Sequence, residues 1–291
     1  MTLHRHLRAA TCLAGITLNL VFWVILLLLL LPAKAPRRTR SSFRRLANRI
    51  YRRAVRVDNA LLRHVSGATW RCEELTLDPA RPHIVLANHR SWADILIAQS
   101  VVATRGPIVK FLCKRELLYV PIFGLIILAF DFPVLRRRSR GGSDPAHRRE
   151  DDRRRVTAAS AALLDSPAAI LSFAEGTRFT EAKREALGGP YEHLLPSRAG
   201  GLAAMIEALA PGEGTIVDLT LAYPRVVSFW EFLGGAAGPV NVRWETIPIA
   251  DVPPERAQEW LNDRWRRKDE LLRSTIFMDL DSDLANLSEM E

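Results

Sequence analysis

Two side chains that exchange protons readily, His89 and Asp94, lie five positions apart in the stretch Asn88-His89-Arg90-Ser91-Trp92-Ala93-Asp94. The apolar run His83–Ala87 before it reads as a buried strand, and Trp92 to Ala103 reads as a helix entered through Ser91. On one continuous helix five positions turn through about 500°, which leaves the two side chains about 140° apart and unable to meet. With His89 in the turn ahead of the helix, Asp94 reaches back to one ring nitrogen and the other nitrogen faces the cleft. That is a base with its orienter, the arrangement that takes a proton from a hydroxyl. No G-x-S-x-G elbow marks a nucleophile in this chain, so the hydroxyl is expected from a substrate.

A second stretch, Phe173-Ala174-Glu175-Gly176-Thr177-Arg178, follows another apolar run, Ala169–Phe173. It sets a guanidinium on a Gly-containing loop at a strand end, where the planar fork suits a phosphate or carboxylate. Glu175 is expected to hold the loop or to contact acceptor hydroxyls. Lys110, Lys114 and Arg115 compete for the place of a second cation. The four residues Glu175 to Arg178 are common by themselves; joined to N-H-x-x-x-x-D upstream, in this order, they are specific. His4, His6, His64, His83, His147 and His193 lack such neighbours and read as structural.

With these residues the chain resembles the membrane-bound 1-acyl-sn-glycerol-3-phosphate acyltransferases, closest to the branch of lysocardiolipin-type enzymes and their bacterial relatives. The resemblance runs from about Pro82 to Tyr223. It implies that His89 is the general base and Asp94 its orienter, with Asn88 as motif support. It maps the second block onto Lys114-Arg115-Glu116-Leu117 and Pro121-Ile122-Phe123-Gly124, with Lys114 helping to bind the acceptor phosphate. Arg136 or Arg137 stands for a following Arg block. Glu175, Gly176, Thr177 and Arg178 form the third block, with Arg178 the second phosphate ligand. The fourth block is Val217-Asp218-Leu219-Thr220-Leu221-Ala222-Tyr223-Pro224. Two positions depart from the family pattern: Ala174 stands where Pro usually precedes the Glu, and D-x-T-x-x-Y-P replaces V-x-P-V. The implied reaction moves a fatty acyl group from acyl-CoA or acyl carrier protein to the free hydroxyl of lysophosphatidic acid. The same chemistry on lysocardiolipin, another lysophospholipid or glycerol 3-phosphate is the nearest alternative. No cofactor is implied beyond the acyl carrier as co-substrate.

These groups need a scaffold and a membrane. The 291 residues are 48% hydrophobic, enough for one sizeable core, and the net charge of +9 favours acidic partners such as anionic lipid. Cys12, Cys72 and Cys113 are scattered and form neither a disulfide framework nor a zinc pattern, so no metal is expected. Cys12 to Leu31 is almost unbroken apolar sequence, long enough to span a hydrocarbon core of about 30 Å. Ala33-Lys34-Ala35 has the look of a cleavage site, but the run exceeds a signal-peptide core and Pro36 would follow the cut, so a retained anchor is expected, with a shallow re-entrant hairpin broken near Gly15 or Asn19 as the alternative. Arg5 and Arg8 precede it. Lys34 and the arginines at 37, 38, 40, 44, 45, 49, 52, 53 and 56 follow it, which puts the body in the cytoplasm; the resemblance to the bacterial relatives implies an inner membrane. Within that flank Phe43, Leu46, Ile50, Val57 and Leu61 recur at helical spacing, the pattern of a basic amphipathic helix lying on an anionic leaflet.

Beyond about residue 70, strands are expected at 83–87, 107–112, 133–135, 169–173, 216–223 and 240–247, and helices at 92–103, 151–164, 200–210 and 254–272. This alternation predicts an α/β fold with a mixed, largely parallel sheet flanked by helices, preceded by a membrane helix and the amphipathic helix. The division is an anchor at 1–35, an interfacial helix at 36–68, an acyltransferase body at 69–275 and a loose acidic tail at 276–291. The apolar run 122–130 is too short to cross a bilayer and reads as a core element or a wall of an acyl tunnel. Arg136 to Arg140 and the run 148–155 read as solvated surface. A membrane-tethered nucleic-acid-binding or scaffold protein would use the same basic flank, but no nucleic-acid motif accompanies it and both site stretches would be left idle; no nucleic-acid partner is expected.

Overall fold

Strands that are apolar on both faces belong where helices cover both sides of a sheet, and the elements follow that rule. The structure, a computed structural model, describes residues 1–34, 36–119, 121–135 and 145–288; the side chains at 114, 117, 121–123, 135, 145–149, 212 and 276–288 lie outside the described residues. In chain order the elements are α1 (Leu3–Leu30), α2 (Arg37–Leu61), β1 (Trp70–Cys72), β2 (His83–Ala87), α3 (Ala93–Ala103), β3 (Val109–Lys110), β4 (Cys113–Lys114), α4 (Pro121–Phe130), β5 (Val134–Leu135), α5 (Pro145–Asp165), β6 (Ala169–Phe173), α6 (Glu181–Leu187), α7 (Gly200–Leu209), β7 (Thr215–Ala222), α8 (Phe229–Leu233), β8 (Val240–Pro248) and α9 (Ala257–Ser288).

Six strands form one sheet in the order β1-β8-β7-β2-β6-β3, and β4 pairs with β5 separately. The pair β7–β8 is antiparallel and the other pairs are parallel, which is the mixed, largely parallel sheet expected. β2 is buried at every position because it lies centrally, with β6 and β7 on its two sides. In this register Ala87 is level with Phe173 of β6 and with Leu219 of β7, so the residues after these three strands emerge at one edge of the sheet. Ligands of open α/β sheets bind at that edge.

Several expectations shift. β3 is only two residues long, because Phe111 and Leu112 leave the ladder for a cavity wall. β1, α6 and α8 are short elements absent from the sequence reading. The acidic stretch expected as a loose tail is helical through Ser288. The run 122–130 is α4, with Ile127, Ala129 and Phe130 buried, and Gly124 sits where a Cβ would strike the Leu118 carbonyl.

The N-terminal helices form a hairpin against the body. Asn19 donates through Nδ2 to the Ala54 carbonyl (3.0 Å) and to Asp58 Oδ1 (2.8 Å), and Trp23 Nε1 donates to Asn19 Oδ1 (2.7 Å). Both ends of α1 are tied to the body: Trp230 Nε1 donates to His6 Nδ1 (3.0 Å), and Lys34 pairs with Asp131 (2.7 Å). The apolar stripe of α2 was expected on lipid, but Phe43, Ala47, Ile50, Tyr51 and Val55 are buried in the protein while Leu46 and Val57 are exposed. Helical periodicity defines a face without saying what covers it; here α1 and α3 do. Among the described residues α1 with its short extension, Leu3–Lys34, is the one helix long and apolar enough to cross a membrane.

Candidate active site

Asn88 continues β2 by one residue: its side chain bonds the Leu221 N–H and carbonyl of β7 (2.9 and 3.0 Å), as a strand backbone would. This pins the start of the turn that carries His89. The His89 amide donates to Glu175 Oε1 (2.8 Å) and its carbonyl accepts from Phe179 N–H (2.7 Å), so the turn is held from the neighbouring β6 loop as well. The imidazole lies flat on Phe173, with centroids 3.8 Å apart and planes 13° from parallel.

Asp94, in the first turn of α3, is fully buried. Its Oδ2 accepts from the amides of Arg90 (2.6 Å) and Ser91 (2.8 Å), in the turn ahead of the helix, and from His89 Nδ1 (2.9 Å). Its Oδ1 accepts from the Tyr223 hydroxyl (2.5 Å). With the Nδ1 proton given to a carboxylate, Nε2 carries the lone pair, and the His89 side chain keeps 13% exposure. The expected reach-back from helix to turn is therefore present in the geometry.

His89 stands where two cavities meet. One, of about 810 Å³, is walled by apolar residues of α1, α2, α3 and α4, among them Leu20, Leu27, Val55, Leu96, Ile126 and Phe130. The other, of about 410 Å³, is lined by His89, Ser172, Phe173, Gly176, Thr177 and Arg178. Gly176 adopts φ +69°, the left-handed conformation that lets the loop turn back here. Lys183 braces the loop by donating to Thr177 Oγ1 (2.7 Å) and the Arg178 carbonyl (2.9 Å). The Arg178 guanidinium lies 5.4 Å over the ring of Trp92, which is 54% exposed and also lines the apolar cavity. An arginine of the polar cavity thus meets a tryptophan of the apolar one in a cation–π contact.

Other expected residues sit elsewhere. Glu175 does not reach an acceptor: it is 1% exposed, and its second oxygen accepts from Leu195 N–H (3.0 Å). Burial pushes its carboxyl up to about 7 against those hydrogen bonds. It is the clamp of the loop, one of the two roles foreseen. Arg115 is exposed and lines neither of these two cavities. Lys110 is buried, donates to the Asp131 carbonyl (3.2 Å) and is pushed down to about 8 by burial; it ties β3 to the chain after α4. The side chains of Lys114 and Pro121, and Arg136 entirely, lie outside the described residues. Pro224 follows Tyr223 against Gly238, where a Cβ would touch the Pro ring. Phe173, Trp92 and Lys183 were not singled out in sequence; an aromatic at the strand end and another inside the His–Asp spacing were the signals available.

The sequence model of the Acyltransferase family matches residues 70–224, which takes in every group just described at the meeting of the cavities. The 1-acyl-sn-glycerol-3-phosphate acyltransferase gamma of Homo sapiens is 28% identical over 228 residues, covering 69% of this chain and 58% of that protein. Lysocardiolipin acyltransferase 1 of Mus musculus is 25% identical over 214 residues, covering 67% and 54%. The chain therefore spans a little over half the length of these relatives. Among solved structures, the 1-acyl-sn-glycerophosphate acyltransferase PlsC of Thermotoga maritima shares the fold, with a TM-score of 0.60 at 16% identity over 92% of this chain and 95% of that one.

Proposed function

Because this chain belongs to the Acyltransferase family, we propose that it transfers a fatty acyl group from an acyl thioester to the free hydroxyl of lysophosphatidic acid, giving phosphatidic acid. The observation that carries this reading is the position of His89, oriented by Asp94 and shared by an apolar and a polar cavity. The donor's acyl chain occupies the apolar cavity, whose volume falls in the range of about 300–1,000 Å³ usual for small-molecule sites. The acceptor's phosphate lies against Arg178 in the polar one.

In the reaction, His89 Nε2 takes the proton from the acceptor hydroxyl as its oxygen attacks the thioester carbonyl carbon. A C–O bond forms, the tetrahedral intermediate collapses, and the C–S bond breaks. The leaving thiolate takes the proton back from the imidazolium. Asp94 stabilises the imidazolium between these steps. Holding both substrates at one imidazole supplies the proximity the bimolecular step needs. The donor is acyl-CoA or the acyl thioester of acyl carrier protein.

The acceptor has a second reading within the same chemistry. The stretch Asp218-x-Thr220-x-x-Tyr223-Pro224 and the likeness to lysocardiolipin acyltransferase 1 favour lysocardiolipin. Conversion assays on membranes carrying the protein, with each acceptor and each donor in turn, separate these. Lysophosphatidic acid is expected to be converted, and conversion of lysocardiolipin alone would replace it.

By the charge of its flanks the enzyme works at the cytoplasmic face of a membrane, and by its resemblance to bacterial relatives that membrane is a bacterial inner membrane. α1, about 42 Å long by helical rise, carries an outward row of Leu18, Phe22, Ile25 and Leu29. Since both of its ends are bonded to one body, the reading supported best is immersion in a single leaflet, with the mouth of the acyl cavity beside the lipid.

A further inference from the structure

The fourth stretch brings to the site a group that the mechanism above leaves unused. β7 runs parallel to β2, so the residue after it, Tyr223, emerges at the same edge as His89. Its hydroxyl and the Asp94 carboxylate are both buried, and they meet at 2.5 Å. A hydrogen bond this short from a hydroxyl to a carboxylate belongs to the strong, charge-assisted class. Asp94 Oδ2 takes its three donors from the chain's own turn and from His89. Oδ1 takes Tyr223, just past a strand more than a hundred residues away in sequence. One oxygen of the catalytic carboxylate is therefore devoted to a phenol.

We infer that Tyr223 is a positioning residue that sets the proton affinity of the His89–Asp94 pair by drawing off part of the Asp94 charge. The inference rests on the reading of His89 as general base. Burial and the Asp94 charge both push the Tyr223 hydroxyl well above its ordinary range, so it remains a donor wherever the enzyme works. The more strongly it donates, the less negative charge Asp94 offers to the imidazolium. Of the other charged groups around the pair, Arg90 on the turn before α3 acts on Asp94 and Tyr223, Glu175 after β6 holds the His89 amide, Arg178 lines the polar cavity with His89 and Asp58 of α2 lines the apolar one; Glu181 on α6 and Asp269 on α9 act on Arg90, and Lys268 on α9 acts on Glu175. None of these donates a hydrogen bond to Oδ1, so donor strength at position 223 can be varied without disturbing them.

The test is a series at one position: Tyr223→Phe, wild type, and 3-fluorotyrosine or 2,3-difluorotyrosine incorporated at 223. For each full-length protein, kcat/KM for acyl transfer is followed against pH, beside a thermal melt and His89→Ala. Loss of the donor should move the acid limb of the profile up by about 0.5–1 pH unit and lower the plateau about tenfold. The fluorinated phenols, stronger donors of nearly the same shape, should move the limb down. Limb movement that follows donor strength would not arise from a merely structural contact. A limb fixed across the series, with His89→Ala inactive, would overturn the role of Tyr223 alone. An active His89→Ala protein would overturn the general-base reading and the inference with it. If Tyr223→Phe fails to fold, the fluorinated pair still decides the question.

Discussion

Replacing Asp94 by Asn removes a charge with little change of shape, and the structure says which way the new amide must face. Oδ2 meets two backbone N–H groups that cannot rotate, from Arg90 and Ser91, together with His89 Nδ1. Oδ1 meets only the Tyr223 hydroxyl, which can turn and accept. The amide NH2 therefore goes to the Tyr223 side, the carbonyl stays under His89, and the tautomer is kept. Stability should fall by about 1–2 kcal/mol, since all four hydrogen bonds at this side chain change from charge-assisted to neutral while the cost of burying a charge is relieved. Activity should fall much further. Two unit charges about 4 Å apart at an effective dielectric near 20 attract by about 4 kcal/mol, and Asn cannot supply this to the imidazolium. At about 1.4 kcal/mol per decade that is about a 10³-fold loss in kcat/KM. The assay is acyl transfer from acyl-CoA to lysophosphatidic acid, read against pH beside a thermal melt. The acid limb should move to lower pH, because the imidazolium loses its counter-charge. More than about a tenth of wild-type activity in a folded Asp94→Asn protein would refute the reasoning, and so would a large loss of stability, which would mean the amide cannot settle as described.

Three further outcomes follow from the same geometry. Arg178→Ala should raise the acceptor KM about 10- to 100-fold with a smaller effect on the donor KM, and Arg178→Lys should not restore it, because an ammonium neither stacks on Trp92 in the same way nor binds phosphate as a fork; equal effects on both KM values would count against the acceptor site. Glu175→Ala should lower stability by about 2–4 kcal/mol by leaving the buried His89 and Leu195 amides without an acceptor, measured by denaturant unfolding in detergent. The Glu175 carboxyl is raised in the fold from 4.5 to about 7, so the stability it contributes is fully present below about pH 4.5 and is lost as pH rises through about 7. The variant should therefore show a flatter dependence of stability on pH between these values, and an unchanged slope would contradict the clamp. Finally, Leu18→Ser with Phe22→Ser, both on the exposed row of α1, should lower partition onto anionic vesicles at least about tenfold without changing the melt of the body, and undiminished partition would place the membrane contact elsewhere.

The parts of this fold visible in sequence were those whose burial is continuous. β2 and β6 stand at the bounds read from His83–Ala87 and Ala169–Phe173, because strands covered on both faces leave unbroken apolar runs between polar turns. The reach from Asp94 to His89 was legible because it is local, a matter of where a helix starts. Contacts made across the sheet were not legible. Nothing in the spacing of Tyr223 announces a bond to Asp94, and nothing at Phe173 announces a ring beneath His89; both depend on the strand order β7-β2-β6. Glu175 was ambiguous for a related reason, since the same loop carries one side chain inward to hold the backbone and another, Arg178, outward to the cavity. β1 and α8 are too short, at three and five residues, to impose a period. The N-terminal hairpin shows the same limit at larger scale: the apolar and basic faces of α2 were plain, but the polar bonds from Asn19 to Ala54 and Asp58 decide that α2 packs on α1.

The central claim is that His89, presented by Asp94 between the two cavities, takes the proton of a lysophospholipid hydroxyl during acyl transfer. The most direct measurement compares wild type with His89→Ala in membranes supplied with lysophosphatidic acid and acyl-CoA, and separately with acylated acyl carrier protein as donor. Formation of phosphatidic acid by wild type and its loss by at least about 10³-fold in a folded His89→Ala protein is the predicted result. Undiminished conversion by His89→Ala would contradict the account at its base.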